Sequence, residues 1–223
     1  MDIIPDYFEA TGATTADAVI LAAGDFPTHR VPLAVLSEAA EGRIICCDGA
    51  ADRLLAEGIM PMAVVGDGDS ISPEARERLT DCLHIESEQE TNDLSKAVRY
   101  AVSQGMHRLN IVGATGRRED HTLGNISLLA DYMDIGLEVK MWTDYGVFSP
   151  ATGRRTFASH AGQQLSIFCL DTEPLTLRGV RWPLDRRPIR RWWEATLNEA
   201  LADSFETETA GRIIVFRTYI HKH

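Results

Sequence analysis

Four short segments carry residue types that could handle phosphate and a hard cation. The first is Asp67-Gly68-Asp69, which follows the apolar run Ala63-Val64-Val65 and Gly66. A glycine between two acids lets the backbone turn so that both carboxylates converge. Magnesium takes oxygen ligands of that kind, together with phosphates and water. In isolation such a turn more often only caps the next helix. Asp48, after residues 43–47 (RIICC), and Asp25, after Gly24, end two more apolar runs in the same way. In open α/β sheets, ligands bind beyond the carboxyl ends of the strands.

The second segment is 89–96 (QETNDLSK). It predicts a helix capped by Thr91, with the apolar stripe Leu94, Ala97, Val98, Ala101 and Val102 at helical spacing. Asp93, Lys96 and Tyr100 then share the opposite face. An acid in the first turn could complete a metal site, and the lysine could reach a phosphate; the plain alternative is a solvated acid–lysine pair. The third segment is 113–121 (GATGRREDH). A glycine-containing loop before a helix offers backbone N–H groups to an anion, and Arg118 adds a fork of donors for phosphate oxygens. No Gly-Lys-Ser/Thr follows, so this is not a Walker A loop. His121 and Asn125 fall on one helical face and could meet the same ligand. The fourth segment joins 179–184 (GVRWPL) to 196–199 (TLNE). An exposed Trp182 would offer a flat surface to a cationic ring. Trp192 and Trp193 read at least as well as core aromatics.

The elements around these segments alternate. Strands are expected at 17–24, 43–47, 63–65, 109–112 and 137–142, with helices at 51–57, from Ser72-Pro73, from Thr91, and up to about Met133. Ser72 as cap and Pro73 at the first helical position make a clear helix start. This pattern predicts an α/β fold: an N-terminal Rossmann-like, mostly parallel sheet with helices on both faces. After about Gly146 the helical stripes largely vanish and short β-like runs replace them, at 164–170, 175–177 and 212–219. We therefore expect domains at 1–146 and 147–223, the second a smaller β-sandwich.

Composition narrows the function further. The 223 residues are 44% apolar and 25% charged, with a formal net charge of -11. Such acidity disfavours nucleic acid as a partner, although a bound cation can offset it for a nucleotide. No apolar run approaches the ~20 residues of a membrane span, and no signal peptide is expected at the start. The four cysteines form no C-x-x-C pair, so a reducing cytoplasm is the expected compartment. The arginines of 181–191 read as a solvated face.

In this order and spacing, the segments resemble the thiamine pyrophosphokinase (thiamine diphosphokinase) family over nearly the whole chain. The resemblance rests on Asp48-Gly49-Ala50, on 66–70 (GDGDS), on 89–96, on Gly113 through Asn125, and on Gly179 through Leu184. It implies transfer of a diphosphoryl group from ATP to the hydroxyl of thiamine, giving thiamine diphosphate and AMP. Asp67, Asp69 and Asp93 would hold Mg2+, and Lys96 and Arg118 would complete the catalytic set on the phosphates. Nucleotide contacts would fall to Gly24, Asp48, Gln89 and Thr91, to Gly113, Thr115 and Asp120, and to His121 and Asn125. Thiamine would stack on Trp182 near Thr196 and Asn198. Asp93 or Asp69 could accept the hydroxyl proton. The resemblance also implies a homodimer whose sites draw on both subunits. Four positions depart from the family pattern: Gly68 stands for an aromatic residue, Asp52 for Asn, Arg117 for Gly and Leu197 for Ser. The rival readings are a pyrophosphokinase for another heterocyclic alcohol, such as a pterin, and a non-catalytic thiamine or nucleotide sensor.

Overall fold

The structure is a computed structural model that describes residues 16–39 and 42–221. The chain divides into two compact units: residues 1–128 with 136–144, and residues 129–135 with 145–223.

The first unit is built on parallel strands. β1 (Ala18–Leu21), β2 (Ile44–Cys47) and β3 (Ala63–Gly66) are buried at every position. Continuous apolar runs of this kind fit a sheet covered on both faces. β4 (Leu83–Ile85) is a short edge strand, followed later by β5 (Arg108–Val112) and β6 (Glu138–Trp142). The sheet order is β6-β5-β1-β2-β3-β4, all parallel. The chain builds outward from β1 to β4, then returns to start again with β5 on β1's other side. The order therefore reverses between β1 and β5, where α/β sheets leave a crevice for ligands.

Helices α1 (Arg30–Glu38), α2 (Ala50–Ala56), α3 (Pro73–Arg78), α4 (Asp93–Ser103) and α5 (Glu119–Asp134) connect these strands. Ser72 caps α3 through its hydroxyl, with Pro73 at the first helical position, as expected. The cap of α4 is Asn92 rather than Thr91: Asn92 Oδ1 accepts from Ser95 N at 2.9 Å. The Thr91 hydroxyl is otherwise engaged, donating to Glu88 and accepting from Arg99. Leu94, Ala97, Val98 and Ala101 are buried as the stripe predicts. Burial of an aliphatic side chain such as Leu94 contributes about 1.5–3 kcal/mol. Lys96 is only 2% exposed, so the plain alternative of a solvated acid–lysine pair fails for it. Two elements of this unit escaped the sequence reading, α1 and β4. Among the described residues no helix is long and apolar enough to cross a membrane.

The second unit is mostly β. β7 (Gly146–Ala158), β8 (Gln163–Cys169), β9 (Pro174–Arg178) and β10 (Leu184–Pro188) precede a short 3-10 turn at Trp192–Ala195. β11 (Asn198–Glu199) and the 18-residue β12 (Ser204–His221) complete it. β12 pairs antiparallel with β7 along its length. Its first part also pairs β9, and its last part pairs β8, with a register shift between Thr209 and Ile213. That break lets one strand serve two sheet portions. Leu165 and Ile167 of β8, Leu175 and Leu177 of β9, and Phe205 and Val215 of β12 share one core. Trp192 and Trp193 stand outside it, 53% and 67% exposed, so the core-aromatic reading of them fails.

Candidate active site

At the reversal point the carboxyl ends of the strands surround a cavity of about 440 Å3. β1 leads into Ala22, Ala23 and Gly24 on its wall, β2 contributes Cys47, and β3 leads to Asp67. The loop before α4 supplies Gln89 and Thr91, and α4 itself supplies Asp93 and Lys96. The loop after β5 brings Ala114, Gly116, Arg117 and Arg118, and α5 adds His121 and Asn125. Segments that follow or end five strands thus meet around one space.

Asp48, Asp67 and Asp69 each place a carboxylate oxygen within 4.8 Å of the other two. Asp48 is 3% exposed and sits at a left-handed φ of 34°. It packs against Gly66, where a Cβ would lie 2.7 Å from the Cβ of Asp48. The N–H of Ser70 donates to Asp48 Oδ2 at 2.9 Å, and Ser70 Oγ donates to Asp69 Oδ1 at 2.7 Å. Burial pushes the Asp48 carboxyl above its usual range, and the charges of Asp93, Asp67 and Asp69 push it further, Asp93 most among them. The carboxyl of Asp67 is held below its usual range, first by the amide of Gln89, whose Nε2 donates to Asp67 Oδ2 at 3.1 Å. Gly68 turns the chain at φ 79°, and the Arg76 guanidinium donates to its carbonyl. An all-oxygen set of this kind suits a hard divalent cation such as magnesium and gives nothing to a soft one.

Asp93 lies outside the 4.8 Å cluster. Its Oδ1 accepts from Lys96 Nζ at 3.2 Å, which gives the buried ammonium an ionic partner. An unpaired ammonium at that depth would be costly. The loop carrying Gln89 is fastened by Arg99, which reaches Glu86 and Glu88 at 2.8 Å each. The Glu88 carboxyl is held down to about 2 by the Thr91 hydroxyl and then by Arg99.

Gly113 and Thr115 act through their carbonyls, which accept from the N–H groups of Gly24 at 2.7 Å and Asp25 at 2.9 Å. Gly24 needs to be glycine here: a Cβ would lie 2.5 Å from both carbonyl oxygens. Asn125 Nδ2 donates to the Ala114 carbonyl at 2.9 Å, while its Oδ1 accepts from Asn92 at 2.9 Å. That side chain ties the α4 cap, α5 and the β5 loop together. Arg118 forms a two-pronged pair with Asp120, with Nε to Oδ1 at 3.1 Å. Asp120 is itself not among the residues lining the cavity.

The residues expected to meet a ring lie in the second unit. Trp182 is 55% exposed, and the Arg181 guanidinium stands 5.4 Å from its ring centre. Asn198 is buried, with its amide spent on the Trp182 backbone. Thr196 Oγ1 donates to the Trp193 carbonyl at 2.9 Å. Leu197 takes a left-handed φ of 58° and is exposed, its N–H donating to Ser166 Oγ at 3.1 Å.

Sequence reasoning missed Asn92, which lines the cavity and caps α4, and Ser70 and Arg76, which bond the segments carrying Asp48, Asp67 and Asp69. The Asn92 cap could have been seen, because Asn is favoured at caps over Thr. The Ser70 and Arg76 contacts depend on how strands and helices come together.

Comparison with known proteins bears on the same segments. Residues 36–141 match the family described as thiamin pyrophosphokinase, catalytic domain, and residues 146–216 match thiamin pyrophosphokinase, substrate-binding domain. A thiamine pyrophosphokinase of Bacillus subtilis is 30% identical over 142 residues, covering 59% of this chain and 65% of that protein. Thiamine pyrophosphokinase 1 of rice, Oryza sativa subsp. japonica, is 28% identical over 175 residues, covering 63% of this chain and 65% of that protein. The chain thus matches about two-thirds of the length of each curated relative, 65% in both cases. In fold, the crystal structure of a Bacillus subtilis thiamine pyrophosphokinase is similar at a TM-score of 0.75 and 22% identity, covering 90% of this chain and 98% of that one.

Proposed function

The chain belongs to the thiamin pyrophosphokinase family, and from that premise we propose that it transfers the diphosphoryl group of ATP to the hydroxyl of thiamine. The products are thiamine diphosphate and AMP. The observation that carries this reading is the Asp48, Asp67 and Asp69 cluster beside a cavity lined by Lys96, Arg117 and Arg118. Carboxylates for a cation next to cations for phosphates are the parts phosphoryl-type transfer asks of a protein.

Asp67 and Asp69 hold Mg2+ in this reading, with Asp93 beside them and Asp48 as a further carboxylate of the same group. The cation, when bound, neutralises charge on the triphosphate. Gln89 fixes the orientation of Asp67 through its amide. Lys96 and Arg118 hold phosphate oxygens, and Gly24, Thr91, His121 and Asn125 shape the nucleotide's bed. The thiamine oxygen attacks the β-phosphorus as the bond from that phosphorus to the oxygen bridging to the α-phosphorus breaks, so AMP departs with that oxygen. The hydroxyl proton passes to a carboxylate of the acidic group. Trp182 gives the thiazolium a face, Thr196 lies close by, and Asn198 positions the tryptophan.

We further place the protein in the cytoplasm as a homodimer. Its cysteines Cys46, Cys47, Cys82 and Cys169 are free, which agrees with a reducing compartment. Incubation with ATP, magnesium and thiamine, followed by chromatography of the nucleotides, tests the reaction. AMP should form in step with thiamine diphosphate. ADP formed in step with thiamine consumption would make the enzyme a monophosphate kinase and overturn the proposal.

A further inference from the structure

Three strong cations line the cavity, and they differ in how firmly their partners hold them. Lys96 is buried with Asp93 at 3.2 Å. Arg118 is held by both oxygens of Asp120. Arg117 has only a long contact, Nε to Asp25 Oδ1 at 3.8 Å, between side chains 64% and 70% exposed. A loose pair between such exposed groups contributes little, so Arg117 loses least on turning to a ligand.

Its backbone adds a second observation. Arg117 sits at φ 57°, a left-handed conformation that side chains disfavour and glycine adopts freely. The neighbouring chain fixes it there. Before it, Gly24 and Asp25 bond the carbonyls of Gly113 and Thr115. After it, Thr122 N donates to the Arg118 carbonyl at 3.1 Å, and the Thr122 hydroxyl reaches the Gly116 carbonyl at 3.4 Å. Asp25 also presses on the turn, since a Cβ on Gly116 would lie 2.1 Å from Asp25 Oδ2. Strain of this kind, at a residue facing a ligand cavity, points to a function for the side chain.

We propose that Arg117 is a second guanidinium for the polyphosphate, loosely paired with Asp25 and ready to turn from it to a nucleotide in the cavity. The inference rests on the nucleotide reading of the cavity given above. It deepens that reading by naming a specificity-determining residue for the polyphosphate. Asp25 offers the arginine only a loose contact at 3.8 Å and yields it to the more highly charged phosphate chain.

Calorimetry with ATP, inorganic tripolyphosphate and adenosine, each with magnesium, separates the possibilities. Arg117→Gly should bind ATP and tripolyphosphate about tenfold more weakly, as loss of a charged hydrogen-bond partner implies, and should bind adenosine unchanged. The same variant should melt about 2–4 °C higher because the strain is gone. Arg117→Lys should keep affinity for ATP within about threefold without the gain in melting temperature, since a cation remains at a strained position. Asp25→Asn should tighten ATP binding. An Arg117→Gly protein that binds ATP as wild type does, or that loses adenosine and ATP affinity equally, would overturn the inference and leave the nucleotide reading standing. Wild-type protein that binds no ATP would overturn both.

Discussion

The Asn198 side-chain amide is bonded to both ends of the Trp182 backbone: the Trp182 N–H donates to Oδ1 at 3.1 Å, and Nδ2 donates to the Trp182 carbonyl at 2.8 Å. The tryptophan ring can therefore stand 55% exposed on a backbone that does not drift. Asn198→Ala leaves an N–H and a carbonyl of a half-buried segment without their partners, at a cost of about 1–3 kcal/mol. Thermal unfolding should show that loss, and calorimetry should show weaker thiamine binding with ATP binding unchanged. Asn198→Asp keeps the acceptor and loses the donor, so it should fall between. Equal thiamine affinity in all three proteins would leave Asn198 with no part in holding the platform.

The proposed magnesium site can be tested through stability. With Asp67 as a cation ligand, as proposed, Asp67→Asn removes a charged oxygen from a half-buried position and should cut turnover by at least about a hundredfold, as loss of a charge-neutralising contact in phosphoryl transfer does. Its melting temperature in a chelator should match wild type, while the rise on adding magnesium should vanish. Asp48→Asn should behave differently. Burial and the charges of Asp93, Asp67 and Asp69 work against an ionised Asp48, so a neutral amide there should raise the melting temperature in chelator. It should also shrink the gain from magnesium. An unchanged magnesium response in Asp67→Asn would remove that residue from the cation site.

Much of the first unit was legible because its strands are buried on both faces and read as unbroken apolar runs at 18–21, 44–47 and 63–66. The acids after those runs fall where a parallel sheet opens its crevice, so Asp48 and Asp67 could be named before the fold was known. Lys96 was harder. Its type and helical position suggest a solvated face, and only the packing of α4 over β2 and β3 encloses it. The β4 strand, three residues long with its side chains half-exposed or exposed, carries too little apolar signal to stand out. Trp192 and Trp193 misled in the opposite direction, since large aromatics usually go inside.

Asp17 and Arg108 give a pH test that does not involve the site. Asp17 Oδ1 accepts from Arg108 Nη2 at 2.7 Å, and its Oδ2 accepts from the N–H groups of His107 and Arg108, both at 2.9 Å. Arg108 and these two backbone donors hold the carboxyl at about 2, below its usual 3.8. Because the folded value is lowered, the stabilisation is complete above the unfolded value, near pH 4, and disappears as pH falls through about 2. Asp17→Asn should therefore lower stability by about 1 kcal/mol at neutral pH, a modest figure because the pair is partly exposed. The difference from wild type should persist to about pH 4 and close towards pH 2. A difference that stayed constant from pH 7 to pH 2 would show that the charge of Asp17 is not what the fold uses.

Subunit mixing tests how the two units cooperate in solution. The acidic cluster belongs wholly to the first unit, and Trp182 belongs wholly to the second. A small β-rich unit buries limited surface on its own, and closed two-fold dimers are the commonest oligomers. We expect a homodimer in which the first unit of one subunit works with the second unit of the other. Asp67→Asn and Trp182→Ala proteins should each be nearly inactive alone. In a mixed dimer built that way, one site carries both lesions and the other carries neither. If subunits exchange at random, half of the dimers are mixed and each has one intact site of two, so about a quarter of wild-type activity should return. Mass spectrometry of the mixture establishes that exchange has occurred, and turnover is then read on the same sample. Proven mixed dimers with no recovered activity would mean that each site is completed within a single chain.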